Sequence, residues 1–76
     1  MKRSLHIGIN DYPGTGSDLS GCVNDANDWR EAMVAKRFEA VSLLDEKATK
    51  SNMHEAISKI VGDTGRNDIA VITFSG

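Results

Sequence analysis

Apolar residues in this chain form three short continuous runs, at residues 4–9, 40–44 and 69–74. Each run is five or six residues long, contains Ile, Leu or Val at several positions, and is bounded by charged or turn-forming residues. Runs of this length that lack strict alternation of apolar and polar positions are typical of strands buried on both faces. The pattern therefore predicts three buried strands.

Between these runs the apolar spacing changes to every third or fourth residue, which predicts two amphipathic helices. The first helix would bury Cys22, Val23, Ala26, Trp29, Ala32 and Met33. The second would bury Met53, Ala56, Ile57, Ile60 and Val61. Thr49 is the predicted N-cap of the second helix, which ends near Gly62, whereas Ser20 and Asn24 are both open as caps of the first. Residues 10–21 are dense in turn formers and predict a long loop.

The predicted order β-α-β-α-β indicates an α/β unit with a parallel sheet and right-handed crossovers. Strand orders 1-2-3 and 2-1-3 are both open, and the second is favoured because it places a helix on each face of strands that are apolar on both sides. In that order the loops after the first and third strands diverge and open a crevice. The third strand would then be an apolar edge strand, so we expect further structure to lie alongside residues 69–74.

Composition narrows the range of functions. The chain has 76 residues, 39% of them hydrophobic and 26% charged, with a formal net charge of -2. The absence of a basic excess argues against nucleic-acid binding, and no segment approaches the ~20 apolar residues of a membrane span. The apolar run near the N-terminus is too short for a signal peptide, so a cytoplasmic protein is expected.

Several kinds of site find little support in the residues. Cys22 could act as a nucleophile, but nothing in the sequence places His6 or His54 beside it, and a single cysteine on a helix face is usually a small hydrophobic residue. The glycines of the long loop fit neither the dinucleotide-binding nor the P-loop spacing and suit turns better. No metal-ligand spacing occurs. Asp25 and Asp28 lie on one helix face, where acids interact favourably with the positive helix N-terminus.

Four segments of the chain, taken together and in order, resemble the N-terminal half of a caspase-like cysteine peptidase domain, closest to the metacaspase branch and its bacterial relatives. These segments are KRSLHIGINDYPG, LSGCVNDANDW, LLDEKATKSNM and IAVITFSG. The resemblance implies a sheet that begins in the order 2-1-3. It also implies a catalytic His directly after the Ser-Gly that ends the third strand, and a nucleophilic Cys after the next strand. Both would follow Gly76, so residues 1–76 are expected to be an incomplete domain that is inactive alone.

The resemblance assigns part of a substrate pocket to this chain. Metacaspase pockets for P1, the residue before the scissile bond, are acidic and accept Arg or Lys, and the matching positions here are Cys22, Asp25 and Ser75. The loop after the first strand lacks the arginine motif of caspases, which also favours a basic P1 residue in a protein or peptide substrate. For Cys22 the pocket and core interpretations both stay open. No cofactor is expected within this chain, and a calcium requirement of the full domain stays open.

Two other functions remain as alternatives. One is a catalytically inactive relative that keeps the fold and serves as a scaffold. The other is a free-standing βαβαβ interaction module that dimerises through its third strand. The three hypotheses differ in what should follow Gly76: a His-Gly and later a Cys motif for the peptidase, replaced residues for the scaffold, and no further sequence for the module.

Overall fold

The computed structural model describes residues 1–10 and 21–76 of the chain. The strands are β1 (Lys2–Gly8), β2 (Glu39–Leu44) and β3 (Ile69–Ser75), and the helices are α1 (Cys22–Ala35) and α2 (Lys50–Asp63). A single 3₁₀ turn, Asp45–Lys47, follows β2. All five predicted elements are confirmed, with strand ends that differ by one or two residues. Most of the predicted long loop lies outside the described residues.

The three strands form a parallel sheet in the order β2-β1-β3, as predicted. Strand β1 is central, and its residues from Ser4 to Gly8 are all buried. From Arg3 to Gly8, each residue of β1 has a register partner on either side; His6, for example, lies between Ser42 of β2 and Thr73 of β3. The order 2-1-3 brings the carboxyl ends of β1 and β3 together at one edge of the sheet.

The two helices cover opposite faces of β1. Leu5 and Ile7 belong to an apolar core that includes Ile60 of α2. On the other face, Gly8 lies against α1, close to Ala26. Because successive strand residues point to opposite faces, Ser4 and His6 share the α1 face with Gly8. The sheet is thus apolar toward α2 and partly polar toward α1.

The buried stripe of each helix is narrower than predicted. The buried residues are Ala26 and Met33 of α1 and Ile60 of α2. The residues predicted to be buried that are instead exposed are Trp29, Ala32, Ile57 and Val61. Three strands span roughly 10 Å between the outer two, about one helix diameter, so a helix packed on this sheet buries only its central stripe. The spacing pattern predicted the helices correctly but overestimated how much of each the sheet covers.

The two helices begin in different ways. The Thr49 side chain accepts a hydrogen bond from the Asn52 backbone N–H at 3.0 Å, which confirms it as the N-cap of α2. At α1 the N-cap is Gly21, with a positive φ of 92° and no side-chain cap of its own. Asn24 is inside the helix, so it is not the cap, and Ser20 lies outside the described residues. Among the described residues neither helix has the length and apolarity needed to cross a membrane.

Candidate functional site

The candidate site lies where the carboxyl ends of β1 and β3 meet the N-terminus of α1. Ser75 is the last residue of β3 and is the register partner of Gly8 in β1. The Ser75 carbonyl also accepts a hydrogen bond from the Ile9 backbone N–H at 2.9 Å, just beyond the end of β1. These pairings position Ser75 at the edge of the sheet that faces the first turn of α1.

Asp25 and Ser75, which are 50 positions apart in the sequence, meet at this edge. The Ser75 hydroxyl donates a hydrogen bond to Asp25 Oδ2 over 3.1 Å. Asp25 lies in the first turn of α1 and its side chain is exposed. The structure therefore presents a carboxylate at the sheet edge and orients it through the hydroxyl of the neighbouring strand.

Cys22 is the first residue of α1 and is partly buried. It is three positions before Asp25, so the two side chains project from neighbouring positions of one helix face. All three residues predicted for the pocket thus lie at the same sheet edge, with a direct contact between Asp25 and Ser75.

Gly8 allows α1 to approach the sheet this closely. A Cβ atom on Gly8 would be 2.6 Å from the Cys22 carbonyl oxygen and 2.8 Å from Ala26 Cβ, both too short for real contacts. A side chain here would push away the helix turn that carries Cys22 and Asp25. The sequence alone does not reveal this role of Gly8, since a glycine inside an apolar run gives no indication of which element it faces.

Asn10 is a second residue whose role is visible only in the structure. Its Oδ1 accepts hydrogen bonds from the backbone N–H groups of Cys22 at 2.8 Å and Val23 at 3.1 Å, so it caps α1 from twelve residues away. Its own backbone N–H donates to Asp45 Oδ1 at 2.8 Å. Asn10 therefore joins the ends of β1 and β2 to the start of α1. The only signal in the sequence was a capping-type residue directly after a strand.

A shallow depression continues from Asp25 along α1. It has a volume of about 190 Å³ and is lined by Asp25, Asp28, Trp29 and Ala32. The predicted common face of Asp25 and Asp28 is confirmed. Two carboxylates and a half-exposed indole give this surface a negative and aromatic character, which favours cationic groups.

Neither histidine is paired with Cys22. His6 is fully buried, and its ring nitrogens contact the Thr73 hydroxyl at 2.7 Å and the Ser4 hydroxyl at 2.8 Å. Burial, and secondarily the positive charge of Arg30, lowers the pKa of His6. His54 is an exposed residue of α2, on the other side of the sheet from α1. The described residues hold no group of three or more side chains suited to bind a metal ion.

A larger cavity, of about 290 Å³, opens at the opposite edge of the sheet between α2 and the first residues of β1 and β2. Its rim carries an ion-pair cluster in which Arg3 contacts Glu39 at 3.5 Å and Asp63 at 3.6 Å. Arg3 also donates to the Asp63 carbonyl oxygen near the end of α2 at 3.1 Å. This cavity is therefore separate from the Asp25–Ser75 corner.

Comparison with known proteins decides the family. Residues 2–76 match the family model described as "Metacaspase, peptidase C14 domain". This chain belongs to the metacaspase peptidase C14 family. The resemblance read from its four sequence segments is therefore confirmed.

Individual metacaspases match over almost the whole chain. Metacaspase-7 of Arabidopsis thaliana is 36% identical over 85 residues, which cover 99% of this chain and 21% of that protein. Metacaspase-1B of Aspergillus oryzae is 35% identical, over 99% of this chain and 20% of its own length. This metacaspase chain spans about a fifth of the length of these relatives.

Proposed function

We propose that this chain is the N-terminal, substrate-recognising part of a caspase-like cysteine endopeptidase domain, and that its Asp25–Ser75 corner binds Arg or Lys at P1 of a protein substrate. The observation that supports the proposal most directly is the 3.1 Å hydrogen bond from the Ser75 hydroxyl to the Asp25 carboxylate. It joins two of the three residues that the family resemblance assigns to the pocket. The match to the metacaspase family model supplies the class of reaction.

The chemistry of the corner suits a basic side chain. A carboxylate has about four lone-pair sites, so the hydrogen bond from Ser75 leaves Asp25 able to accept from a guanidinium or ammonium group. Such charge-assisted bonds are roughly twice as strong as neutral ones, and Arg can form two in parallel. Asp28 and Trp29 beside Asp25 add further negative charge and an aromatic surface on the same helix.

The proposed reaction is acyl transfer to a cysteine thiolate. A His activates the thiolate for attack on the scissile carbonyl, backbone N–H groups stabilise the oxyanion, and water hydrolyses the acyl-enzyme. Cys22 is not assigned the nucleophile's role, because both ring nitrogens of His6 contact other side chains and His54 is on the far side of the sheet. We assign the catalytic His and Cys to the part of the domain that would follow Gly76.

Strand β3 is the proposed contact to that part of the domain. Within the described residues it pairs with β1 along one edge only, and Ile72 and Phe74 are exposed on it. An edge strand with large exposed apolar side chains is normally covered by a further element. We propose that the rest of the peptidase domain packs against β3.

The P1 assignment is tested with Asp25→Asn, which removes the charge but keeps the shape and an oxygen that can accept from Ser75. Binding of Nα-acetyl-arginine methylamide to the chain is followed by NMR, and cleavage of Arg-P1 peptides is measured in a longer protein that contains the complete domain. We expect affinity and kcat/KM to fall about tenfold or more, since a hydrogen bond to a charged group contributes about 1.5–3 kcal/mol.

Glu31→Gln, at another exposed acid of α1, is the matched control and should leave both quantities within about twofold, because exposed charges at a distance are screened by salt. Equal affinity and equal cleavage for wild type and Asp25→Asn would refute the pocket assignment. Cleavage after residues other than Arg or Lys would refute the proposed specificity.

A further inference from the structure

Three polar side chains, two of them buried and one partly buried, form a hydrogen-bonded cluster on the face of the sheet that α1 covers. The His6 ring contacts Ser4 of its own strand and Thr73 of β3, at 2.8 and 2.7 Å. Ser4 and His6 are only 1% and 0% exposed. Neither the proposed pocket nor the proposed reaction uses this cluster. Within the cluster, the His6–Thr73 hydrogen bond joins side chains of two different strands, β1 and β3.

The chemistry of the cluster matches a neutral imidazole. A neutral ring donates from one nitrogen and accepts at the other, and a hydroxyl can do either, so Ser4 and Thr73 satisfy both ring nitrogens. The lowered pKa of His6 keeps the ring in this neutral form near pH 7. These hydrogen bonds hold their partners in a defined position, because breaking either one leaves a nitrogen of the buried His6 ring without a partner.

The position of Thr73 links the cluster to the candidate site. Thr73 is two residues before Ser75, on the same strand and, by the alternation of strand side chains, on the same face. Ser75 in turn donates to Asp25. The hydrogen bond that holds Thr73 beside β1 therefore also helps to hold Ser75 next to the first turn of α1.

We propose that His6 and Thr73 are positioning residues, which clamp the end of β3 to β1 and so hold Ser75 on the Asp25 carboxylate. The proposal deepens the proposed function and rests on it for the identity of the bound group. The clamp itself is independent of any ligand.

The structure offers a matched control on the other flanking strand. Ser42 of β2 is the register partner of His6 on the side opposite Thr73, and its hydroxyl oxygen is buried without a hydrogen-bond partner among the described residues. Removing the Ser42 hydroxyl therefore breaks no hydrogen bond between residues that the structure describes, whereas removing the Thr73 hydroxyl breaks the bond to His6. Thr73 and Ser42 are both register partners of His6, but we expect loss of the hydroxyl to loosen β3 only at Thr73.

The experiment compares Thr73→Val, which keeps the shape but loses the hydroxyl, with Thr73→Ser and Ser42→Ala. Amide hydrogen exchange of β3 and β2 is measured in the free chain at pH 7, together with the affinity for Nα-acetyl-arginine methylamide. In Thr73→Val we expect exchange at the hydrogen-bonded amides of β3 to rise and affinity to fall, each roughly three- to tenfold, the range that one lost hydrogen bond produces. Thr73→Ser, which keeps the hydroxyl, should stay within about twofold of wild type in both measurements. Ser42→Ala should neither speed β3 exchange nor weaken binding, because it removes a buried hydroxyl that has no partner among the described residues.

His6→Gln provides a second variant, since a glutamine amide offers a donor and an acceptor and should retain part of the protection of β3. Unchanged β3 exchange in Thr73→Val would overturn the clamp, whatever the affinity does. Faster β3 exchange with unchanged affinity, while Asp25→Asn loses affinity, would overturn the positioning role. If Asp25→Asn has no effect on affinity, the P1 assignment fails and the exchange data alone decide the clamp.

Discussion

At the scale of single residues, Gly8 has the least room for a side chain among the described glycines for which an added Cβ was compared with its neighbours. A Cβ there would meet the Cys22 carbonyl oxygen and Ala26 Cβ at 2.6 and 2.8 Å, and neither the backbone atom nor the short Ala side chain can turn away. Overpacking of this kind typically costs about 1–3 kcal/mol. We expect Gly8→Ala to lower the free energy of unfolding by that amount, measured by urea denaturation, and to disturb the Asp25–Ser75 contact.

Gly62→Ala is the control for Gly8→Ala. Gly62 lies in α2, and a Cβ there would meet nothing within 4 Å. Alanine is favoured over glycine in a helix by roughly 0.8–1 kcal/mol, so this variant should gain stability, by less than that near the helix end. A Gly8→Ala chain as stable as wild type would show that α1 can move outward without cost.

At the scale of elements, β3 is the strand whose environment should change most in a complete domain. Phe74 is 60% exposed, so truncating it in this chain should cost less than about 1 kcal/mol. If the rest of the domain packs on β3, Phe74→Ala in the longer protein should cost about 3–5 kcal/mol, the range for a buried aromatic side chain.

The control for Phe74→Ala is Val34→Ala, a change at a residue of α1 that is 51% exposed. We expect this variant to have a small effect in both proteins, measured by thermal and urea unfolding. The same small loss for Phe74→Ala in the short chain and in the complete domain would mean that β3 is not the docking strand.

At the scale of the whole molecule, His6 makes stability depend on pH. Its folded-state pKa is lowered by burial and by Arg30 of α1, while its register partners Ser42 and Thr73 carry no charge. Near pH 6.5 the His6 side chain of the unfolded chain binds a proton, whereas that of the folded chain does not. The free energy of unfolding is therefore unaffected by His6 well above pH 6.5 and decreases as the pH falls below that value. The slope is at most about 1.4 kcal/mol per pH unit for one histidine, until folded His6 itself is protonated.

Urea denaturation between pH 7.5 and 5 measures this slope, and His6→Gln should reduce it. Asp68 does not contribute within this window. Its pKa is lowered, first by a hydrogen bond from the N-terminal ammonium group and then by the Gly65 backbone N–H, so its contribution is lost only at more acidic pH. An identical pH dependence in wild type and His6→Gln would show that His6 accepts its proton without penalty in the folded chain.

Much of this architecture follows from local patterns in the sequence. Three apolar runs, two helical stripes and the Thr49 cap depend on residues within about four positions of each other, so the sequence alone determined the elements and their order. The 2-1-3 arrangement also followed, because strands that are apolar on both faces need a helix on each. The pocket residues Cys22, Asp25 and Ser75 came from the resemblance to the metacaspase family, not from spacing.

Only the tertiary structure decided which distant residues meet. Asn10 caps a helix that begins twelve residues later, His6 bonds Thr73 across 67 positions, and Ser75 reaches Asp25 across 50. Each contact depends on the register between strands and on where each helix packs. A change of register moves all side chains of a strand at once, and the apolar spacing within one element does not specify it. The exposure of Trp29 was decided in the same way, since a three-stranded sheet is too narrow to cover the full apolar stripe of α1.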